Sequence, residues 1–157
     1  MAEYRIRAAT LADADALVRH RIGMFSDMGV EMDAAAVADA FRRWLDMAMP
    51  SDTYRAWVVE TSGGAVVGGG GITVVPWPPG PRYVGGRLAL VYNMYVDRGH
   101  RRRGVARLIM DTIHSWCRGA GVLSLGLNAS DAGRPLYESI GYRESPAPMM
   151  FVQLSAR

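Results

Sequence analysis

Residues 101–106 read Arg101-Arg102-Arg103-Gly104-Val105-Ala106, between a strongly apolar run and an amphipathic one. The apolar run ends at Val96, and Asp97-Arg98-Gly99-His100 reads as a short turn. A helix opens at Gly104. The first N–H groups of a helix have no partner inside it, and the helix dipole adds positive potential there. Gly104 removes the side chain that would hold a ligand off the backbone, and Ala106 keeps the next turn small. The run therefore reads as an anion cradle for a phosphate or pyrophosphate, with guanidinium groups at its rim. It specifies a phosphate without specifying which one.

Composition removes several owners of such a cradle. All 18 basic residues are arginine. Without lysine there is no Gly-Lys-Ser/Thr ending, which excludes the Walker-type loop. Gly99 and Gly104 have the wrong spacing for the dinucleotide fingerprint, and no helix start follows Gly68-Gly69-Gly70-Gly71. Cys117 is the only cysteine and falls on a helical pattern beside Trp116, as a small packed thiol. His20 and His114 have no acidic or cysteine partner at metal spacing, so no metal is expected. Net charge is +3 over 157 residues, with part of it concentrated at Arg98–Arg107. That balance, with no aromatic stacking platform, argues against a nucleic-acid binder. The start of the chain, Met1 to Thr10, lacks the apolar stretch of a secretory signal, and no segment has the roughly 18 consecutive apolar residues of a membrane span. The expectation is a cytoplasmic protein without a membrane partner.

The elements that must position the cradle follow from periodicity. Tyr4–Ala8 alternates as a short strand. Thr10 offers an N-cap, with Asp13 three residues later as a capping-box variant, for a helix from about Leu11 to Ile22 with Leu17, Val18 and Arg21 spaced along it. Gly23–Met32 reads as a loop. Asp33 caps a second helix through about Met49, with Val37, Phe41, Trp44, Leu45 and Ala48 on one face. Tyr54–Glu60 and Ala65–Val75 form a hairpin around the turn Ser62-Gly63-Gly64, and the four glycines inside the second strand predict a bulge or a close backbone approach. Pro76–Pro81 is a stiff loop. Arg87–Val96, apolar at nearly every position, reads as a strand buried on both faces. Val105, Leu108, Ile109, Thr112, Ile113 and Trp116 trace a helix to about Arg118. Val122–Leu127 reads as a strand, Asp131–Ile140 as a short helix, and Tyr142 with Met149–Leu154 as a final strand or pair. The chain reads as one α/β domain with a mixed sheet.

Three motifs, in this order, resemble one family. Asn93-Met94-Tyr95-Val96-Asp97 looks like the fourth strand of the GNAT acetyltransferase superfamily. Arg101–Ala106 matches its Arg/Gln-x-x-Gly-x-Gly/Ala motif, and Tyr137-Glu138-Ser139-Ile140-Gly141-Tyr142 looks like its Tyr-x-x-x-Gly-Phe/Tyr element. The resemblance implies a three-layer domain whose central strands splay apart to admit acetyl-CoA. Backbone amides of Arg102 to Ala106 would hold the pyrophosphate, with Arg101 opening the motif. The main chain of Met94, Tyr95 and Val96 would pair with the pantetheine arm, and an N–H near Tyr95 or Val96 would polarise the thioester carbonyl. Tyr137 would protonate the departing thiolate. Asn128 and Ser130 are candidates for pantetheine contact; many members carry asparagine at the position of Ser130.

The implied reaction is attack of a neutral primary amine, small-molecule or peptide, on acetyl-CoA. No acidic residue stands on Leu88–Val96 to take the amine's proton; Tyr92 and Asn93 through a water, Asp27 and Glu31 are the candidates. The same lack of a base leaves a second reading, a CoA-binding sensor without turnover. The acceptor pocket is expected from Gly23–Met32, Trp77–Pro81 and Pro146–Met149, since loops carry specificity. A homodimer is possible for the family.

Overall fold

The computed structural model describes residues 3–156. Five strands form one sheet in chain order: β1 (Tyr4–Ala8), β2 (Arg55–Thr61), β3 (Val66–Pro76), β4 (Arg87–Val96) and β5 (Leu125–Leu127). Pairing is antiparallel from β1 to β4, and β5 joins β4 in parallel. The helices are α1 (Ala14–Asp27), α2 (Ala34–Ala48), α3 (Val105–Gly119) and α4 (Arg134–Ser139). The result is the α/β fold with a mixed sheet that the sequence pattern predicts.

Strand alternation builds the layers. On β2, Ala56 and Val58 pack with Leu17 of α1 and with Phe41 and Leu45 of α2. Their neighbours Trp57 and Val59 point the other way, into a cluster with Val105, Ile109 and Ile113 of α3. The α3 stripe repeats every four residues and continues to Cys117, which is buried as a packing thiol. Ile109, Met110 and Ile113 have no exposed surface. Each contributes roughly 2 kcal/mol by burial, which ties α3, and the cradle at its start, to the sheet.

The caps fall where the sequence places them. Thr10 and Asp13 form a reciprocal capping box, although the first turn is a 3-10 turn, Leu11–Asp13, and α1 proper begins at Ala14. The Asp33 side chain accepts from the Ala36 amide at 3.0 Å and opens α2.

Four segments depart from expectation. Helix α1 continues through Gly23 to Asp27, so the predicted loop over 23–32 is only its second half. Gly23 is there for packing: a Cβ would stand 2.8 Å from the Tyr95 ring. Strand β5 keeps only Leu125–Leu127 of the predicted Val122–Leu127. Helix α4 starts at Arg134, where Pro135 suits a first turn. Met149–Leu154 is not a strand; its apolar side chains, Phe151 among them, lie exposed without a sheet partner. Alternation there had no apolar surface to pack against.

Two irregularities position the site. Gly71 pairs with Tyr92 and Gly69 with Tyr95, so Asn93 and Met94 on β4 oppose Gly70 alone. This is a β-bulge, with Asn93 at φ +56°. The glycines of β3 also admit side chains close to the backbone: a Cβ on Gly70 would stand 2.3 Å from the Met94 sulfur, and one on Gly71 2.4 Å from the Tyr54 ring. Second, β4 and β5 pair only from Ala89 with Leu125 to Val91 with Leu127. Beyond Val91 the strands part, leaving the β4 edge from Tyr92 to Val96 without a strand neighbour on that side.

Candidate functional site

The opening between β4 and β5 leads into a cavity of about 1010 Å³. The end of β4, the start of α3 and the start of α4 bound it, with Met24, Asp27 and Met28 of α1 on its rim. Ten of the residues singled out from sequence line it: Met94, Tyr95, Val96, Arg101, Arg102, Gly104, Val105, Ala106, Ser130 and Tyr137. Arg103 and Asn128 do not. Arg103 turns to Glu3, 2.8 Å away, and Asn128 is exposed, with Ala129 taking its place on the wall.

The cradle is built from backbone. Between the 3-10 turn Arg98–His100 and α3, Arg102 has φ +63° and Gly104 φ +81°. Arginine rarely adopts that conformation, and alternation of left-handed Arg102 and Gly104 with Arg103, which is not left-handed, turns neighbouring N–H groups toward one side. Gly104 caps α3 without a side chain, and the first amide to find a carbonyl is that of Leu108, 2.9 Å from the Gly104 oxygen. From Arg102 to Arg107, no backbone amide donates to an acceptor among the described residues. Six successive free donors at a helix N-terminus form a site for an anion with several oxygens.

The arginines divide the work. Arg101 donates through Nε to the Val96 carbonyl at 2.8 Å, and its guanidinium lies over the Tyr95 ring at 5.5 Å. Asp27 accepts from both Arg101 and Arg98. Arg101 therefore fastens the turn to the strand end and to α1, and is not a free phosphate ligand. Arg102 and Arg107 line the cavity and supply its cationic rim. Asp27 cannot serve as a base: hydrogen bonds from Arg98 and then Arg101 hold its carboxyl below the usual range. Glu31 is exposed and lines neither this cavity nor the next.

On the α4 side, Tyr137 is buried except where it meets the cavity. Its hydroxyl has no hydrogen-bond partner among the described residues, and burial raises its pKa. The ring is held edge-on by Tyr142, and Tyr142 by His114 at 2.9 Å. Ser130 shapes this corner by accepting from the Gly133 amide at 3.2 Å. Sequence reasoning did not single out Arg107, Asp131, Ala132, Gly133 or Leu136, which complete the wall. Arg107 carried a signal, one helical turn after Gly104; the others form a loop without a chemical signature.

A second cavity, of about 670 Å³, lies between α1, α2 and the sheet. Asn93 lines this one and the next residue, Met94, the first, so the two cavities meet β4 at the bulge. Asn93 is buried between Arg21, whose Nη1 donates to its Oδ1 at 2.5 Å, and Tyr54, whose hydroxyl accepts from its Nδ2 at 3.1 Å. Burial pushes the Tyr54 pKa up to about 12, so it remains a phenol. Of the three segments expected to form an acceptor pocket, Gly23–Met32 lends Met24, Asp27 and Met28 to the first cavity, whereas Trp77–Pro81 and Pro146–Met149 line neither, and Trp77 is exposed.

Comparison with known proteins agrees with this geometry. The family model for an acetyltransferase (GNAT) domain matches residues 52–144. A GCN5-related N-acetyltransferase from Ralstonia eutropha superposes with a TM-score of 0.88 at 30% identity, over 95% of this chain and 98% of that one. A predicted acetyltransferase with acetyl-CoA from Clostridium acetobutylicum gives 0.84 at 22% identity, over 95% and 96% of the two chains. Glucosamine-6-phosphate N-acetyltransferase from Arabidopsis thaliana shares the fold, with a TM-score of 0.70 at 15% identity, over 95% and 97%. No curated protein matches the sequence significantly. With its three motifs gathered around one opening in the sheet, the chain belongs to the GNAT acetyltransferase family.

Proposed function

We propose that this protein transfers the acetyl group of acetyl-CoA to a primary amine. The observation that carries the reading is the run of amides Arg102–Arg107, unpartnered among the described residues and all but Arg103 in residues lining the cavity that the unpartnered Tyr137 hydroxyl meets. Amides at a helix start suit the pyrophosphate, and Arg102 and Arg107 suit the remaining negative charge. The open β4 edge from Tyr92 to Val96 suits the amide-bearing pantetheine arm, which pairs there as an added strand. Acetyl-CoA supplies the acetyl group as a reactive thioester.

In this mechanism the bulge aims a β4 amide at the thioester carbonyl and stabilises negative charge as it develops there. The neutral amine forms the new C–N bond as the C–S bond breaks. Tyr137 gives its proton to the leaving sulfur, and its raised pKa keeps that proton available at neutral pH. Among the described residues no acidic side chain lines the second cavity beside Asn93, and Asp27 is held by Arg98 and Arg101, so the amine loses its proton to water held near Tyr92 and Asn93.

Thiol release from acetyl-CoA, measured over a panel of amines, tests the reading. Turnover with at least one primary amine is expected, with the acetyl group on nitrogen in the product. Failure to bind acetyl-CoA by calorimetry would overturn the reading. Binding without turnover over a broad panel would leave a CoA-binding protein in its place.

A further inference from the structure

The second cavity contains a cation without a counter-ion. Arg21 projects from α1 among Phe25, Phe41 and Asn93, with its guanidinium 5.0 Å from the Phe25 ring centre and 5.1 Å from that of Phe41. Elsewhere Arg7, Arg19, Arg55, Arg98 and Arg103 each hold a carboxylate. Arg21 has none within 4.0 Å among the described residues, and no acidic side chain lines the cavity. Its one hydrogen bond is the one from Nη1 to Asn93. The guanidinium fork therefore keeps an edge with free N–H donors, the shape that takes a carboxylate bidentately. A half-buried charge is costly unless something pairs with it. A second polar group lines the same cavity: the Oγ1 of Thr73, shielded from water, has no hydrogen-bond partner among the described residues. Val37, Ala40, Phe41 and Trp44 form an apolar wall, the last two stacked 5.7 Å apart, and Thr53 and Tyr92 complete the lining.

Resting on the acetyltransferase reading above, we propose that this cavity is the acceptor half of the site and that it takes an amino acid. The acceptor's carboxylate pairs with Arg21, its apolar side chain lies against Phe41 and Trp44, and its amine meets the acetyl group at the bulge. The bulge allows this: Asn93, bonded to Arg21 in this cavity, is followed directly by Met94 of the first cavity, and consecutive Cα atoms are about 3.8 Å apart. An anionic group on Arg21 and an amine at the bulge thus belong to one small molecule. A carboxylate suits the site better than a phosphate, because a single cation lines the cavity and no helix N-terminus does.

Matched acceptors test the proposal. The probes are L-phenylalanine and L-leucine, their amides, 2-phenylethylamine, and O-phosphoethanolamine as the phosphate arm. In the wild type, kcat/KM for the free acids should exceed that for the amides and for 2-phenylethylamine by roughly 10- to 100-fold, the range of a charge-assisted bidentate pair. Arg21→Met should collapse this ratio to near unity while KM for acetyl-CoA stays unchanged, and Arg21→Lys should restore part of it. Direct binding of L-phenylalanine in the presence of CoA, followed by NMR in wild type and Arg21→Met, separates this proposal from the transfer reading. Arg21-dependent binding without turnover would sink the transfer reading and leave the amino-acid site standing. Turnover that ignores the carboxylate, a preference for O-phosphoethanolamine, or an acid preference that survives Arg21→Met would overturn the amino-acid site alone.

Discussion

The Tyr137 hydroxyl meets the first cavity with no hydrogen-bond partner among the described residues, and burial moves its pKa upward. A raised pKa keeps an acid protonated over a wider range, so the alkaline limb due to Tyr137 lies above the ordinary tyrosine value of about 10. Tyr137→Phe retains the ring, and with it the packing on Tyr142. It should lower kcat by about 100-fold, leave KM for acetyl-CoA within a factor of two or so, and remove the alkaline limb of the pH–rate profile. A loss confined to KM would make Tyr137 a binding residue. The same comparison of environments rules His20 out as a base. It is 1% exposed, and desolvation first, then Arg19, pushes its pKa down to about 4. It is neutral at physiological pH, but it is packed against Tyr95 and lines neither cavity.

At the scale of elements, the junction of β1 with α1 is fastened by charge. Arg7 reaches Asp13 with two guanidinium nitrogens, each at 2.8 Å, and Glu60 of β2 at 2.7 Å, while Asp13 also accepts from the Thr10 amide. Hydrogen bonding to Arg7 is the chief reason that the Asp13 pKa falls below 3.8. For a carboxyl lowered on folding, the stability gained is present above the unfolded value and disappears as pH falls through the folded one. The protein should therefore lose this contribution below about pH 4. Asp13→Ala should cost about 2 kcal/mol at pH 7 in urea unfolding and flatten the acid limb of stability against pH. The glycines of β3 set a second element-scale requirement. Gly71→Ala forces a methyl group to 2.4 Å from the Tyr54 ring, which hydrogen-bonds Asn93. It should destabilise the fold by about 2 kcal/mol and reduce acceptor use more than acetyl-CoA binding, read as separate KM values.

Most of these elements were legible because each pairs a local signal with a burial pattern. Thr10 and Asp33 are caps in sequence and in structure, and the α3 stripe from Val105 to Cys117 has one buried face. The proposed donor half of the site left its sign in the sequence for a related reason: a helix start binds anions through backbone that glycine leaves bare. The proposed acceptor half left no such sign. Arg21 stood in the sequence on the same helical stripe as Leu17 and Val18, and a cation on an apolar face was the signal. Only packing shows that no carboxylate meets it. The glycines of β3 predicted a bulge or a close backbone approach; they provide the close approach at Gly70 and Gly71, and the bulge opposite Gly70 lies in β4.

The predicted final strand raises a question about the whole molecule, since a segment that buries nothing cannot hold the fold together. Met149, Met150, Phe151, Val152 and Leu154 are each at least 64% exposed, and no element of the sheet pairs with them. Two buried clusters, one on each face of the sheet, account for the core without this segment. The nearest inward anchor is Tyr142, tied to His114 of α3 and packed on Tyr137. The main chain after Tyr142 adds no hydrogen bond to the sheet or helices among the described residues. Removing residues 148–157 should therefore leave far-ultraviolet circular dichroism and acetyl-CoA affinity unchanged, with Tm shifted by no more than about 2 °C. It should also raise the concentration at which the protein aggregates, because a contiguous apolar patch is taken off the surface. Cutting instead before Tyr142 removes a ring packed on Tyr137, the proposed acid, and kcat should fall together with Tm. If the shorter deletion already lowered Tm by 10 °C or more, the segment would have to bury apolar surface in the working protein, and the boundary of the stable unit would lie beyond Tyr142.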